Sequence, residues 1–165
     1  MPPPPPASPT AAPPAGVPAG DAAVFAPLAS LGLLSFAGSD ALAFLHGQLS
    51  SDVKALAPGA GHWTTYNSPK GRMLATLFLY RPAGAPADRL EALLAADLAA
   101  TVAKRLAMFV LRSKVVVTDE TPQRALFGVG GPAAGAAVLA ALGTDPPAPG
   151  AVSAAGLTVV RWPDG

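Results

Sequence analysis

Residues 44–81 read FLHGQLSSDVKALAPGAGHWTTYNSPKGRMLATLFLYR, and the succession of patterns in this stretch decides the fold class. Around its start, Leu42, Leu45 and Leu49 fall at i, i+3 and i+7, which predicts a helix with one apolar face. Ser39 stands where that helix needs a cap, and Asp40 is favourable in its first turn. Gly47 weakens the helix near its end. Ser50-Ser51-Asp52 then restart a short helical turn that runs to Leu56 and stops at Pro58-Gly59. Residues 62–66 alternate polar and aromatic side chains as a strand does. Residues 67–71 have turn composition, and 73–80 form a second apolar strand, so the two strands make a hairpin.

Outward from this stretch the same mixture continues. The apolar run 31–36, ended by Gly38, reads as a buried strand. Residues 90–94 suit either a strand or a helix start, since Ala and Glu favour neither. Residues 97–111 predict the clearest helix, with Asp97 as N-cap and Leu98, Val102, Leu106, Phe109 and Val110 on one face. Lys104 and Arg105 point elsewhere. Strands follow at 115–119 and 125–129. Gly130-Gly131-Pro132 makes a tight turn into an Ala-rich helix at 133–142, and 146–149 is a loop before a last strand at 157–161. Helices and strands interspersed in this order give an α+β fold rather than a doubly wound parallel sheet.

The chain has 165 residues, enough for one domain or part of a larger one. Half of it is apolar and only 6% is aromatic, so the core is built mainly from Ala, Leu and Val. A net charge of +1 advertises neither nucleic acid nor membrane. There is no cysteine, which excludes disulfides and thiolate chemistry and fits a cytoplasmic location. No apolar run approaches the ~20 residues that cross a bilayer. Residues 1–26, rich in proline and alanine, read as a disordered leader, and residues 27–165 as the folded part.

Few residues suggest chemistry on their own. Lys70 and Arg72 flank Gly71 at the hairpin turn, where they can converge on an anionic group or simply decorate a solvated corner. Tyr66 and Trp63 offer flat surfaces to a ring, or pack as core aromatics of a half-buried strand. His46 and His62 lie on different elements with no third ligand at a suitable spacing, so no metal site is expected. The serines lack a nucleophile-elbow context, and no catalytic residue is assigned. From Lys70 to Lys114 there are eight basic and three acidic residues, 8 − 3 = +5. If Lys104, Arg105, Arg112 and Lys114 share a surface, they can follow an RNA backbone.

A set of short motifs adds to this reading. Gly38-Ser39-Asp40, Phe44-Leu45, Gly47-Gln48, Ser51-Asp52-Val53, Pro69-Lys70-Gly71-Arg72 and Leu111-Arg112-Ser113-Lys114-Val115 stand in one order. In that order the chain resembles the N-terminal part of the YgfZ-type folate-binding proteins, relatives of the glycine-cleavage aminomethyltransferase. The resemblance implies a strand at 90–94 and an incomplete folate-binding domain that accepts tetrahydrofolate. It implies a role in assembling or maintaining iron–sulfur proteins, with tRNA modification as the alternative. On this basis Gln48, Asp52 and Asn67 are expected to orient the pterin, with Tyr66 beside it, while Lys70 and Arg72 hold the glutamyl tail. Helix termination and turn formation account for Asp52 and Asn67 equally well.

Two departures from the family pattern matter. The downstream signature that carries the family's cysteine is absent, and a tryptophan that contacts folate in some members aligns with Leu31. Aminomethyltransferases also place an acidic pair where this chain has Ala75 and Thr76. Neither residue can act as a carboxylate base, so aminomethyl transfer is not expected.

Overall fold

The computed structural model describes residues 22–86, 88–143, 150–154 and 157–162. Its centre is a five-stranded antiparallel sheet of β2 (Leu31–Ala37), β3 (Gly61–Asn67), β4 (Met73–Tyr80), β5 (Arg89–Ala95) and β6 (Val116–Asp119), in the order β3-β4-β5-β2-β6. Helices α1 (Ala41–Gln48) and α2 (Ala96–Ala107) cover one face. The remaining elements form two small ribbons, β1 (Val24–Pro27) with β7 (Phe127–Gly130) and β8 (Gly150–Ala154) with β9 (Leu157–Arg161), and a third helix, α3 (Ala134–Leu142). The fold is α+β with antiparallel sheets, as the sequence indicates.

β2, β5 and the C-terminal half of β4 are buried on both sides, so they read as nearly continuous apolar runs. Beneath the helices lie Leu34, Phe36, Leu77, Leu79 and Leu90, all fully buried, with Leu45 of α1 and Leu106 of α2. Each such side chain contributes about 1.5–3 kcal/mol. On the opposite face Leu33, Phe78, Tyr80 and Leu93 form a smaller cluster, against which Leu126 and Val160 pack.

Several local expectations are corrected. Ser39 does not cap α1. The N-cap is Asp40, whose carboxylate accepts instead from the Lys114 backbone N–H at 2.8 Å and pins the helix start to the entry of β6. The expected face is present, with Leu45 and Leu49 buried and Leu42 half-buried against the same core, and Ala41 and Phe44 join it. Asp97 lies in the first turn of α2 while Ala95 is the N-cap, and α2 ends at Ala107 rather than 111. Leu111 has φ +46, and the bonds Phe109 N–H to Leu106 O and Ser113 N–H to Val110 O fold the chain back toward β6. Phe109 is exposed as a result. Residues 24–26, read as the end of the leader, belong to β1, whose partner β7 lies a hundred residues away. The rest of the leader up to residue 21, and the loop expected at 146–149, fall outside the described residues. No signal pointed to β8, which is identified by its register with β9.

Candidate functional site

Register positions the candidate site. β4 pairs with β3 along its whole length but with β5 only at Phe78–Tyr80. From Leu77 back to Met73 the two strands diverge, and no strand among the described residues pairs with β4 on that side. The gap opens into a groove of about 390 Å³. Leu31, Ala95 and Leu98 form its aliphatic side, Met73 and Thr76 its β4 side, and Trp63 and Trp162 an aromatic side.

The aromatic side is ordered by ring contacts. The Trp63 and Trp162 centroids are 5.1 Å apart with their planes at 89°, and Trp162 stacks at 6.1 Å and 17° on Phe78. Phe78 is fully buried, whereas Trp63 is 44% and Trp162 39% exposed. The indoles therefore rest on the small core and keep surface open to the groove. Thr76 supplies a hydroxyl that donates to the Met73 sulfur at 3.5 Å.

The hairpin turn adjoins the Met73 end of this groove. Gly71 takes φ +77, a conformation glycine adopts without strain. The turn closes through Gly71 N–H to Ser68 O at 2.9 Å and Arg72 N–H to Ser68 Oγ at 3.1 Å. Lys70 and Arg72 are exposed on it, and neither has an ion-pair partner among the described residues. Asn67 is half-buried at a bulge opposite Met73.

The other expected site residues lie elsewhere. Tyr66 is 3% exposed within the main core, so its ring offers no face to a ligand. Asp52 caps the 3-10 turn Val53–Ala55, accepting from the Lys54 N–H at 3.1 Å, and lies 3.3 Å from His46 Nδ1 without hydrogen-bond alignment. Gln48 ends α1 and does not line the groove. Sequence reasoning missed Trp162, which reaches Trp63 across almost a hundred residues. The apolar alternation of β9, continued by one residue, is the only signal that could have flagged it.

Two polar networks complete the electrostatics. Ser51 Oγ lies 2.7 Å from His62 Nε2 and donates to Thr64 Oγ1 at 2.9 Å, which ties the turn after α1 to β3. Burial lowers the His62 pKa against the raising pull of Asp52, which favours the neutral imidazole. On the groove-bearing face, Arg89 bridges Glu91 Oε1 and Glu120 Oε1, both at 2.8 Å. Tyr80 holds the other Glu91 oxygen and Arg124 the other Glu120 oxygen. With every carboxylate oxygen engaged, this cluster fixes strands rather than offering a free acid or base. Among the described residues no three His, Cys, Asp or Glu side chains are grouped to hold a metal, and no helix is long and apolar enough to cross a membrane.

No protein-family model matches the sequence, and no curated protein does. Among solved structures, the glycine cleavage system aminomethyltransferase T from Bartonella henselae matches with a TM-score of 0.67 and 23% identity over 80% of this chain. The fold is aminomethyltransferase-like. This chain spans 36% of the length of that protein, so the likeness concerns part of its architecture. Within the aminomethyltransferase-like fold, Ala75 and Thr76 both line the groove, Thr76 exposed and Ala75 buried in the main core cluster.

Proposed function

We infer that this chain is a folate-binding module, corresponding to the N-terminal part of a YgfZ-like protein and serving the assembly or maintenance of iron–sulfur proteins in the cytoplasm. One observation carries the reading. Leu31, Ala75 and Thr76, the positions that family resemblance associates with folate, are distant in sequence yet line a single groove. The residues present fit the ligand's chemistry: the groove suits a planar ring, and Lys70 and Arg72 suit the glutamyl carboxylates, which Arg can grip bidentately. Asn67 remains a candidate for polar contact at the hairpin end. Gln48, Asp52 and Tyr66 are set aside, because they cap, pack or lie off the groove.

A bound tetrahydrofolate would supply one-carbon carrier chemistry; this chain would supply binding. Ala75 and Thr76 provide no carboxylate to take a proton or stabilise a developing cation, so the reading is of a binding protein rather than an aminomethyltransferase. Calorimetric titration with 5-formyltetrahydrofolate is the test. Saturable heat that weakens in a Lys70→Ala/Arg72→Ala double variant supports it, and absence of saturable heat overturns it.

A second reading, contact with tRNA, is favoured by one observation: Lys104, Arg112 and Lys114 are all exposed at the C-terminal end of α2 and in the turn that follows. It requires tRNA binding that falls steeply as salt rises, measured by gel shift.

A further inference from the structure

The groove is chemically lopsided. Its lining is aliphatic and aromatic, with the Thr76 hydroxyl as the one side-chain oxygen among the lining residues and the indole N–H groups as the other polar side-chain atoms. A pterin carries donors and acceptors along its edge, and a site that buries such an edge without partners forfeits their hydrogen bonds to water. An aminobenzoyl group demands less, since its ring face is apolar and only its anilino N–H and its carbonyl need partners. The cationic residues are also placed at one end: Lys70 and Arg72 precede Met73, which itself lines the groove. In a folate the glutamate is attached to the aminobenzoyl group, with the pterin on the far side. In a ligand whose carboxylates meet Lys70 and Arg72, the aminobenzoyl ring is the first ring offered to the groove, whose aromatic side is Trp63, paired with Phe78 on β4, and Trp162.

The two indoles are built for that contact. Held perpendicular to one another and backed by buried Phe78, they make an aromatic corner that is two-fifths exposed. Simple core packing would bury them further. Leu31, which offers no stacking surface, forms part of the opposite, aliphatic side. We propose that the Trp63–Trp162 corner and the Lys70/Arg72 turn together form a subsite for an aromatic ring bearing an anionic tail, which takes the p-aminobenzoylglutamate half of a folate and not its pterin. Trp162 is the specificity-determining residue, supplying from the residue after β9 the stacking surface that Leu31 lacks. The identity of the parent ligand rests on the folate reading above; the ring-plus-anion preference does not.

The test uses the full chain and three probes: p-aminobenzoyl-L-glutamate, 6-hydroxymethylpterin and 5-formyltetrahydrofolate, each titrated by calorimetry. Both tryptophans of the protein line the groove, so their fluorescence gives a second readout of occupancy. Saturable binding of p-aminobenzoyl-L-glutamate is expected, at least tenfold tighter than that of the pterin. Trp162→Ala should weaken it by about tenfold or more, in line with the loss of one stacking partner, whereas Trp162→Phe should stay within about threefold of the parent. Thermal melts of both variants separate lost stacking from lost folding, and Trp162→Phe keeps the question open to measurement if Trp162→Ala unfolds. Equal binding of pterin, or unchanged affinity in a folded Trp162→Ala variant, overturns the subsite. If 5-formyltetrahydrofolate binds and p-aminobenzoyl-L-glutamate does not, the subsite falls while the folate reading stands. If only p-aminobenzoyl-L-glutamate binds, the subsite stands and the folate reading falls. If neither binds, both fall.

Discussion

The Tyr80 hydroxyl donates a 2.7 Å hydrogen bond to Glu91 Oε2 on the groove-bearing face of the sheet, and both residues are almost fully buried. Burial first, then the Glu91 charge and this hydrogen bond, push the Tyr80 pKa far above its ordinary value of 10. The folded state therefore favours the protonated phenol. Its contribution is complete below the unfolded pKa of about 10 and declines as pH rises beyond it, where only the unfolded chain ionises freely. The melting temperature is expected to fall steadily above about pH 10. Tyr80→Phe should flatten that decline while costing about 1.5–3 kcal/mol at pH 7, since it strips a partner from a buried carboxylate. Thermal melts of both proteins from pH 7 to 11 make the comparison, and parallel alkaline slopes would count against it.

Glu120 controls the acid side. Burial alone would raise its pKa, but hydrogen bonds from Ser35 and Arg89, the Arg89 charge and a hydrogen bond from Arg124 outweigh it and hold the carboxyl below its usual value of 4.5. A depressed pKa stabilises the fold above the unfolded value, and that contribution is lost as pH falls through the folded one. Glu120→Gln should cost about 2 kcal/mol at pH 7, because Arg89 retains Glu91. The variant should then lose less than the parent between pH 5 and 3. Urea titrations at the three pH values read the difference directly.

The sequence carried the strands and helices of the sheet because each depends on local signals. The Met73–Tyr80 strand, the Leu157–Arg161 strand and the Asp52 cap follow from periodicity and capping, and all three appear as expected. What escaped was non-local. Val24–Pro27 becomes a strand only because Phe127–Gly130 lies beside it. The groove exists because β4 pairs with β5 over three residues and then leaves it, a divergence no composition encodes. Tyr66 and Trp63 lie three residues apart on one strand, and the pleat sends one into the core and the other to the groove. Lys70 and Arg72 were placed correctly on the turn. Their proximity to an aromatic groove required Trp162, which only the tertiary fold delivers.

Two glycines nine positions apart should respond oppositely to alanine. Gly38 has φ +134, and a Cβ there would meet the Lys114 carbonyl oxygen. That carbonyl cannot retreat, since Lys114 is tied to Asp40 through the 2.8 Å bond to its carboxylate. Backbone strain and overpacking together are expected to cost about 3 kcal/mol or more in Gly38→Ala. Gly47 is exposed in α1, and its Cβ would meet nothing within 4 Å. Gly47→Ala should stabilise by about 0.5–1 kcal/mol through helix propensity. Denaturant midpoints of the two variants, moving in opposite directions from the parent, are the expected result.

Leu111 is held at φ +46 with 86% of its surface exposed, in the turn that carries α2 into β6. A leucine in this left-handed conformation costs roughly 1–2 kcal/mol, and so exposed a side chain returns little through packing. Glycine removes the steric cost but adds about 0.4–1 kcal/mol of unfolded-state entropy. Asparagine tolerates the conformation with a smaller entropic loss. Leu111→Asn is therefore expected to stabilise by about 1 kcal/mol and Leu111→Gly by about half of that. Thermal melts rank the two variants against the parent. A drop in stability for both would mean that Leu111 packs in solution against a surface, which would make the exposed Met108-Phe109-Leu111 edge a contact rather than a strained corner.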